Sequence, residues 1–574
     1  MFPASRSISQ FPGCIRASSC VLILGASCLG QTSGAPVLGL PYDWSHHYVV
    51  FSDSPSAKRM AAVQQDIRYW QQQIRMSPPV AAEKPDAAVV VIHAKKKKAD
   101  WSVSLGSAGS TITAGMYPAK YSFNVNAAPD CTNDFVVFAL KVAGSASQAT
   151  IVAYNNLYTE PGGTGYCPGT GPTVKWAYNT GGAINTSPTM APGGGKVAWV
   201  ASANPPVLHV LTIGTTGNNG ASVTSPAVAG TGNNAVDKAT SFGSVGDTRS
   251  SPFVDYTHDV AYVASDDGNM HKFSGFFRGT PAEVSTGGWP LHIIDSGNHK
   301  VAGPVFDYVS KNLYYDDDIG TFTYIREVGS TVGVCIGQPS PPCWGQTSFE
   351  LTSSASNLIE PPLVDSTTQR VYIFLGNDNQ GLGHARVLQT DTSLALNNET
   401  AIGEAGQNMF SGAFDHNYYS NPSTGFLYVC GYPTLGIASP VLYRLGFDST
   451  GKMKAHDTNS LAIASILSTT RCSPMTEFFN TTTGKDWLFV GLEAGCVATG
   501  GSACILSLDV TSGFPSAVSA GVTEVGGTSG IVVDNVSSQA QASSIYFSTL
   551  NATTCGDGVS GGGCAVKLTQ AGLN

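Results

Sequence analysis

Ser251-Pro252-Phe253-Val254-Asp255, then Val260-Ala261-Tyr262-Val263-Ala264, the turn Asp266-Asp267-Gly268 and Met270-His271-Lys272-Phe273 form the clearest copy of a unit that recurs along the chain. A small residue and Pro open the unit, an apolar run reaches an acid and a turn, and two more apolar runs follow. Pro as the first residue of a strand forfeits no ladder hydrogen bond, and β-branched and aromatic runs suit a sheet covered on both faces. Gly303-Pro304-Val305-Phe306-Asp307 leads in the same way to Leu313-Tyr314-Tyr315. Pro361-Pro362-Leu363-Val364-Asp365 leads to Val371-Tyr372-Ile373-Phe374, and Ser187-Pro188-Thr189-Met190 to Val197-Ala198-Trp199-Val200. Looser copies open at Gly412, Ser473-Pro474 and Ser529-Gly530, and a degenerate first copy begins at Ala119-Lys120-Tyr121-Ser122-Phe123.

Starts at 119, 188, 252, 304, 362, 412, 474 and 530 lie 50 to 69 residues apart, room for four short strands and their turns. Tandem four-stranded units with no helical period between them predict an all-β fold, an eight-bladed β-propeller, with seven blades as the alternative. The chain ends six residues after Ala565-Val566-Lys567-Leu568, the third strand of the last unit, so that unit needs a fourth strand from elsewhere. Trp101-Ser102-Val103-Ser104-Leu105, ahead of the first unit, is expected to supply it. Composition agrees: 574 residues with 65 Gly and only 12% charged exclude disordered and coiled-coil classes, and stacked blades need no single large core.

Residues 1–30 combine Arg6 and Arg16 with the apolar run Val21 to Leu29, the pattern of a secretory signal and too short to span a membrane. Without them the chain carries 28 basic and 39 acidic residues, a net −11 that disfavours nucleic acid as a partner. The expected location is secreted, periplasmic or cell-surface, without a transmembrane segment. Residues 31–99 are read as an N-terminal extension and 100–574 as the propeller. Within the extension Tyr48-Val49-Val50-Phe51 reads as a strand. Met60, Val63, Ile67, Trp70 and Ile74 mark one amphipathic helix of about 20 residues, packed on the propeller or plugging an edge. Lys95 to Lys98 reads as a solvated linker.

Ten cysteines remain beyond the signal, an even number that in a secreted chain reads as disulfides. Strand directions put each neighbouring pair on one face of the ring: Cys131 with Cys167, Cys335 with Cys343, Cys430 with Cys472, Cys496 with Cys504, and Cys555 with Cys564.

Catalytic signatures are absent: there is no H-E-x-x-H, G-x-S-x-G or P-loop. His46 and His47 are adjacent and read as surface histidines. The acidic turns at Asp266 and Asp267, at Asp316, Asp317 and Asp318, and at Asn377, Asp378 and Asn379 offer hard oxygens for calcium, but none has the alternating spacing of a calcium loop. The main expectation is therefore no cofactor. The acids that close the first strand (Asp255, Asp307, Asp365, Asp415, Glu477, Asp534) recur by unit, which favours a structural turn role over catalysis.

The Ser-Pro-x-Val-Asp and Tyr-Val pattern, with Leu508-Asp509-Val510-Thr511-Ser512-Gly513 and Phe447-Asp448-Ser449-Thr450-Gly451-Lys452, resembles the repeats of quinoprotein-like (pyrroloquinoline quinone repeat) propellers over about residues 100 to 570. The whole chain is similar to secreted bacterial propeller proteins to which no activity is assigned. The resemblance implies the fold. Quinoprotein alcohol dehydrogenases carry a vicinal disulfide over their cofactor, and no two cysteines here are adjacent, so no functional residue carries over. Function is expected to be that of an extracellular binding module for a glycan, an envelope component or a protein. The alternative is an enzyme centred on the channel, either a degenerate quinoprotein oxidoreductase or a polysaccharide-cleaving enzyme.

Overall fold

The computed structural model describes residues 39–52, 56–76, 100–125, 127–246, 248–292, 300–332 (except 329–330), 343–348, 360–377, 384–404, 408–433, 439–465, 470–480, 483–535 and 541–569. Each predicted unit is one sheet, and the eight sheets form the blades of an eight-bladed β-propeller. The innermost strands, in order, are Ala119–Ser122, Thr189–Met190, Phe253–Asp255, Val305–Asp307, Leu363–Asp365, Ala413–Phe414, Thr476–Asn480 and Val532–Asp534. Within each blade successive strands run antiparallel, away from the central axis. Inner strands are buried on both sides, as their unbroken apolar runs require: Val260–Ala264 and Phe135–Ala139 are buried throughout. The outermost strands, such as Val236–Ser241, are largely exposed and polar.

Neighbouring blades bury these runs against one another. Trp176 and Phe135 of blade 1 meet Trp199 and Met190 of blade 2, and Phe478 and Phe489 of blade 7 meet Val533 and Phe547 of blade 8. The ring closes where the sequence places the seam. β3 (Trp101–Ser104) pairs antiparallel with Cys564–Leu568, Trp101 opposite Lys567 and Ser104 opposite Cys564. Chain segments from before the first unit and from the last thus share one sheet. Trp101 is buried there and its indole N–H donates to the Leu157 carbonyl at 2.9 Å. The seam is ionic as well as apolar: Lys120 of blade 1 meets Asp534 of blade 8 at 2.9 Å, and Lys567 meets Asp100 at 3.3 Å, all four buried.

Among the described residues, Cys131–Cys167, Cys430–Cys472, Cys496–Cys504 and Cys555–Cys564 are disulfides. Cys335 lies outside the described residues, and with it the pairing expected for Cys343. Cys496–Cys504 and Cys555–Cys564 each close a hairpin loop on the face where the innermost strands begin, here the upper face. Replacing Cys555 and Cys564 together by Ser is expected to cost about 2 to 3 kcal/mol. Thermal unfolding checks this, and an unchanged Tm would show that the loop is held without the bridge.

The N-terminal segment takes a place that composition did not reveal: it runs inside the ring. β1 (Leu40–Tyr42) adds antiparallel to the inner edge of blade 1, Leu40 opposite Ser122. A four-residue helix, α1 (Ser45–Tyr48), turns the chain, and β2 (Val49–Val50) adds parallel to the inner edge of blade 5, opposite Val364 and Asp365. The expected strand therefore covers Val49 and Val50 only, because Tyr48 ends α1. The expected single helix is two, α2 (Ala57–Val63) and α3 (Ile67–Met76). Asp66 causes the break, since its carboxylate accepts the N–H of Arg68 at 3.0 Å and so caps a new helix. α3, about 15 Å long, crosses the lower face. Near its start Arg68 donates to the Val254 carbonyl of blade 3, and near its end Arg75 donates to the Glu477 carbonyl of blade 7.

Candidate functional site

Four of the six recurrent acids rivet neighbouring blades, whereas Asp415 caps the short helix His416–Ser420 of its own blade and Glu477, read as closing its strand, lies inside the strand Thr476–Asn480 beside Arg75. Asp255 accepts the N–H groups of Thr257 and His258 in its own turn and the phenol of Tyr308 from blade 4. Asp307 accepts Ser366 of blade 5 at 2.5 Å, Asp365 accepts Tyr418 of blade 6 at 2.8 Å, and Asp534 accepts Tyr158 of blade 1 at 3.1 Å. In each case the donor comes from the following blade. This explains why the acid recurs with the unit.

The central channel, where a propeller offers a ready concave site, is occupied by residues 39–52 and 56–76. Trp44, Tyr48, Val49, Phe51 and Val63 belong to the same apolar core as Phe253, Val305 and Val364 of the inner strands. Several polar groups of the plug find partners within it and on the ring. Arg68, 1% exposed, meets Asp66 at 3.0 Å, Ser45 Oγ at 2.7 Å and the Val254 carbonyl at 3.0 Å, and its guanidinium lies 4.0 Å over the Phe253 ring. Asp43 accepts Ser45 Oγ at 2.6 Å and Tyr256 at 3.2 Å. Burial pushes the Asp43 carboxyl up, but His46, Arg68 and Ser45 outweigh it and hold it below the usual value.

At the upper end His47 Nε2 lies 2.8 Å from Ser411 Oγ, and Ser411 N–H donates to Glu360 at 2.6 Å. Tyr48 and Tyr117 pack edge to face beside them. Burial pushes Glu360 up to about 7 and His47 down to about 3, the latter helped by Arg75. Near pH 7 the imidazole is therefore uncharged and the Glu360 carboxyl about half protonated. Ser411 is 2% exposed and its N–H already serves a carboxylate, so it offers neither an accessible nucleophile nor an oxyanion site.

Sequence reasoning placed His46 and His47 on the surface, and the structure corrects this. His46 is 7% exposed and its Nδ1 accepts the Asp43 N–H at 3.1 Å. Alternation along a strand does not apply because both residues sit on α1. Arg68, Asp43, Ser411 and Glu360 were missed. For the last two a signal existed: Glu360 precedes Pro361-Pro362 and Ser411 precedes Gly412, so the repeat register alone puts both at the channel mouth.

The calcium candidates are scattered. Asp266 pairs with Lys300 at 2.5 Å, and Asp267 accepts Ser244 N–H at 2.6 Å and Asn269 N–H at 3.2 Å as an ordinary turn former. Asp317 accepts the N–H groups of Ile319 and Thr321 at 3.1 and 2.8 Å. Asp318 lies in the same turn, its N–H donating to the Lys300 carbonyl, and Asp378 lies outside the described residues. Asp316 is 1% exposed and is pushed well above the usual carboxylate range by burial, Asp317 and Glu360. Among the described residues no three His, Cys, Asp or Glu side chains gather as a metal site.

No protein-family model and no curated protein matches the sequence. Among solved structures, BamB from Moraxella catarrhalis aligns over 82% of this chain and 98% of its own at 12% identity and a TM-score of 0.41. Sqt1 from Chaetomium thermophilum aligns over 83% and 100% at 10% identity and a TM-score of 0.45. Both are similar to this chain as β-propellers, a likeness that adds nothing to what the sheet order already shows.

Proposed function

We propose that the protein is a secreted binding module, a rigid disc that engages an extracellular polymer or protein through its surface, with quinoprotein-like repeats used for their fold. One observation carries this reading: the chain's own residues 39–52 and 56–76 occupy the channel that a channel-centred enzyme would need for its substrate. Disulfides staple loops on both faces, as suits an oxidising compartment, extracellular or periplasmic. No described helix is long and apolar enough to cross a membrane.

The test is a panel of extracellular polysaccharides and envelope polymers, scored both for retention of the protein and for cleaved or oxidised products. Retention with unchanged polymer is the expected result. Product formation would establish the enzyme, and retention by nothing on the panel would remove the glycan and envelope forms of the reading.

A further inference from the structure

The lower face of blade 1 carries two loops, residues 123–134 after its innermost strand and 156–172 after its third. Among the described residues only two Phe, Tyr or Trp side chains are exposed, Phe123 at 40% and Tyr166 at 41%, and they stand one in each loop. Both are braced rather than buried. The Phe123 N–H donates to Asp134 Oδ1 at 2.7 Å, and Asp134 Oδ2 accepts the Tyr158 hydroxyl at 2.6 Å. The Tyr158 ring meets Tyr166 edge to face, with centroids 6.5 Å apart. The Tyr166 N–H donates to Gln541 Oε1 of blade 8 at 3.1 Å, and Gln541 Nε2 donates to Glu160 at 2.9 Å. The Cys131–Cys167 disulfide cross-links the two loops, its second cysteine following Tyr166 directly. One fixed framework therefore holds both rings while leaving them in water.

Apolar ring faces select a ligand that water does not replace, because displacing water from them is itself favourable. The two rings uncover on the order of 150 Å² between them. A stable protein interface takes roughly 800 Å² from each partner and has a contiguous apolar centre. Here no other large apolar side chain of the two loops is exposed among the described residues, and Asn, Thr, Gly and Pro surround the rings. The patch is too small and too broken for such an interface. Charge narrows the ligand further. The loops hold Asp130, Asp134 and Glu160 and no Lys, Arg or His, and Lys175 of the next strand is bonded to the Thr132 carbonyl at 2.8 Å, so a polyanion is disfavoured. A pyranose has an apolar C–H face about as wide as one aromatic ring, with hydroxyls around its edge. It covers such a ring while its hydroxyls stay hydrated, and it needs no cavity.

We propose that Phe123 and Tyr166 form a stacking platform for the pyranose rings of a neutral extracellular polysaccharide. The proposal rests on the binding reading above and names its ligand class and its place on the disc. Binding of the full chain to cellulose, chitin, mannan, xylan and dextran is measured by pull-down and affinity electrophoresis, with polygalacturonate as the charged counterpart. At least one neutral polymer is expected to bind, and more tightly than polygalacturonate. Phe123→Ala and Tyr166→Ala are each expected to weaken that binding about threefold to tenfold with Tm unchanged, since both side chains are exposed. Phe123→Tyr and Tyr166→Phe keep a ring and should bind as the unaltered protein does, as should Val559→Asp on the upper face. These ring-keeping variants decide the matter if an alanine variant fails to fold: a loss of binding in a stably folded one overturns the platform. A polymer held equally by the protein and by the double alanine variant overturns the platform while leaving the binding reading intact, and so does release by Val559→Asp alone. Tighter binding of polygalacturonate overturns the neutral ligand, and binding of no polysaccharide overturns the proposal together with the glycan form of the reading.

Discussion

Arg68→Leu is expected to destabilise the protein by about 3 to 5 kcal/mol. The side chain is 1% exposed and serves Asp66, Ser45, the Val254 carbonyl and the Phe253 ring at once. Leucine would refill much of the volume but leave Asp66 buried without its cation and a main-chain carbonyl without its donor. Removing one member of a buried pair costs far more than the pair contributes. The measurement is the urea midpoint with a reference variant beside it. Lys485→Met, at the half-exposed pair with Asp509, should cost under about 1 kcal/mol because water screens that pair. Equal effects at the two positions would mean that the plug contributes no more to stability than the surface does. Accelerated proteolysis between residues 39 and 76 in Arg68→Leu would locate the loss in the channel rather than in the blades.

Stability is expected to fall as the pH rises from 6.5 to 8. Burial raises Glu360 to about 7, Glu477 to about 7 and Glu524 to about 8, against an ordinary 4.5 in the unfolded chain. An acid whose folded value is raised is protonated in both states at low pH, and there it has no effect. As the pH climbs above 4.5 the unfolded chain releases the proton first, so folding is penalised until the folded value is passed. His47 acts the other way. Its folded value of about 3 lies below the ordinary 6.5, so its penalty grows as pH falls below 6.5 and vanishes above it. The acids are thus unopposed by this histidine from 6.5 upward, and their combined loss by pH 8 is of the order of 3 kcal/mol. Glu524→Gln should recover about half of that at pH 8 and much less at pH 5, since burial alone raises this carboxyl. A Tm that is flat or rising over this window, or a Glu524→Gln effect equal at both pH values, would show that these carboxyls are ionised in the folded protein.

The two predictions bear on the same feature. Glu360 sits at the upper end of the plug and Glu477 at the lower, beside Arg75. Alkaline pH and Arg68→Leu are therefore expected to loosen the same segment.

Blade count, blade boundaries and the closing strand were legible because they depend on local alternation and spacing. A strand buried on both faces must be an unbroken apolar run, a Pro can stand only at its start, and a unit that ends one strand short must borrow one. Four cysteine pairings, Cys131–Cys167, Cys430–Cys472, Cys496–Cys504 and Cys555–Cys564, followed from strand direction by the same logic. The break at Asp66 was also written in the sequence, as a capping residue inside the stripe Val63, Ile67, Trp70, but the continuous apolar period masked it. The recurrent acids announced a turn, while the bond that Asp255, Asp307, Asp365 and Asp534 make to a tyrosine or serine of the next blade needed the ring to exist.

The sequence by itself determined the repeating sheets and the closure of the circle, since each of these satisfies backbone hydrogen bonds and apolar burial within a few dozen residues or between identical units. Only the tertiary structure decided that residues 39–52 and 56–76 enter the circle and that Asp43, His47, Arg68 and Arg75 meet partners from blades 3, 6 and 7. Those contacts join residues hundreds of positions apart through a cavity that no single blade possesses. A charged side chain in an amphipathic helix looks the same in sequence whether it faces water or a carbonyl across the channel.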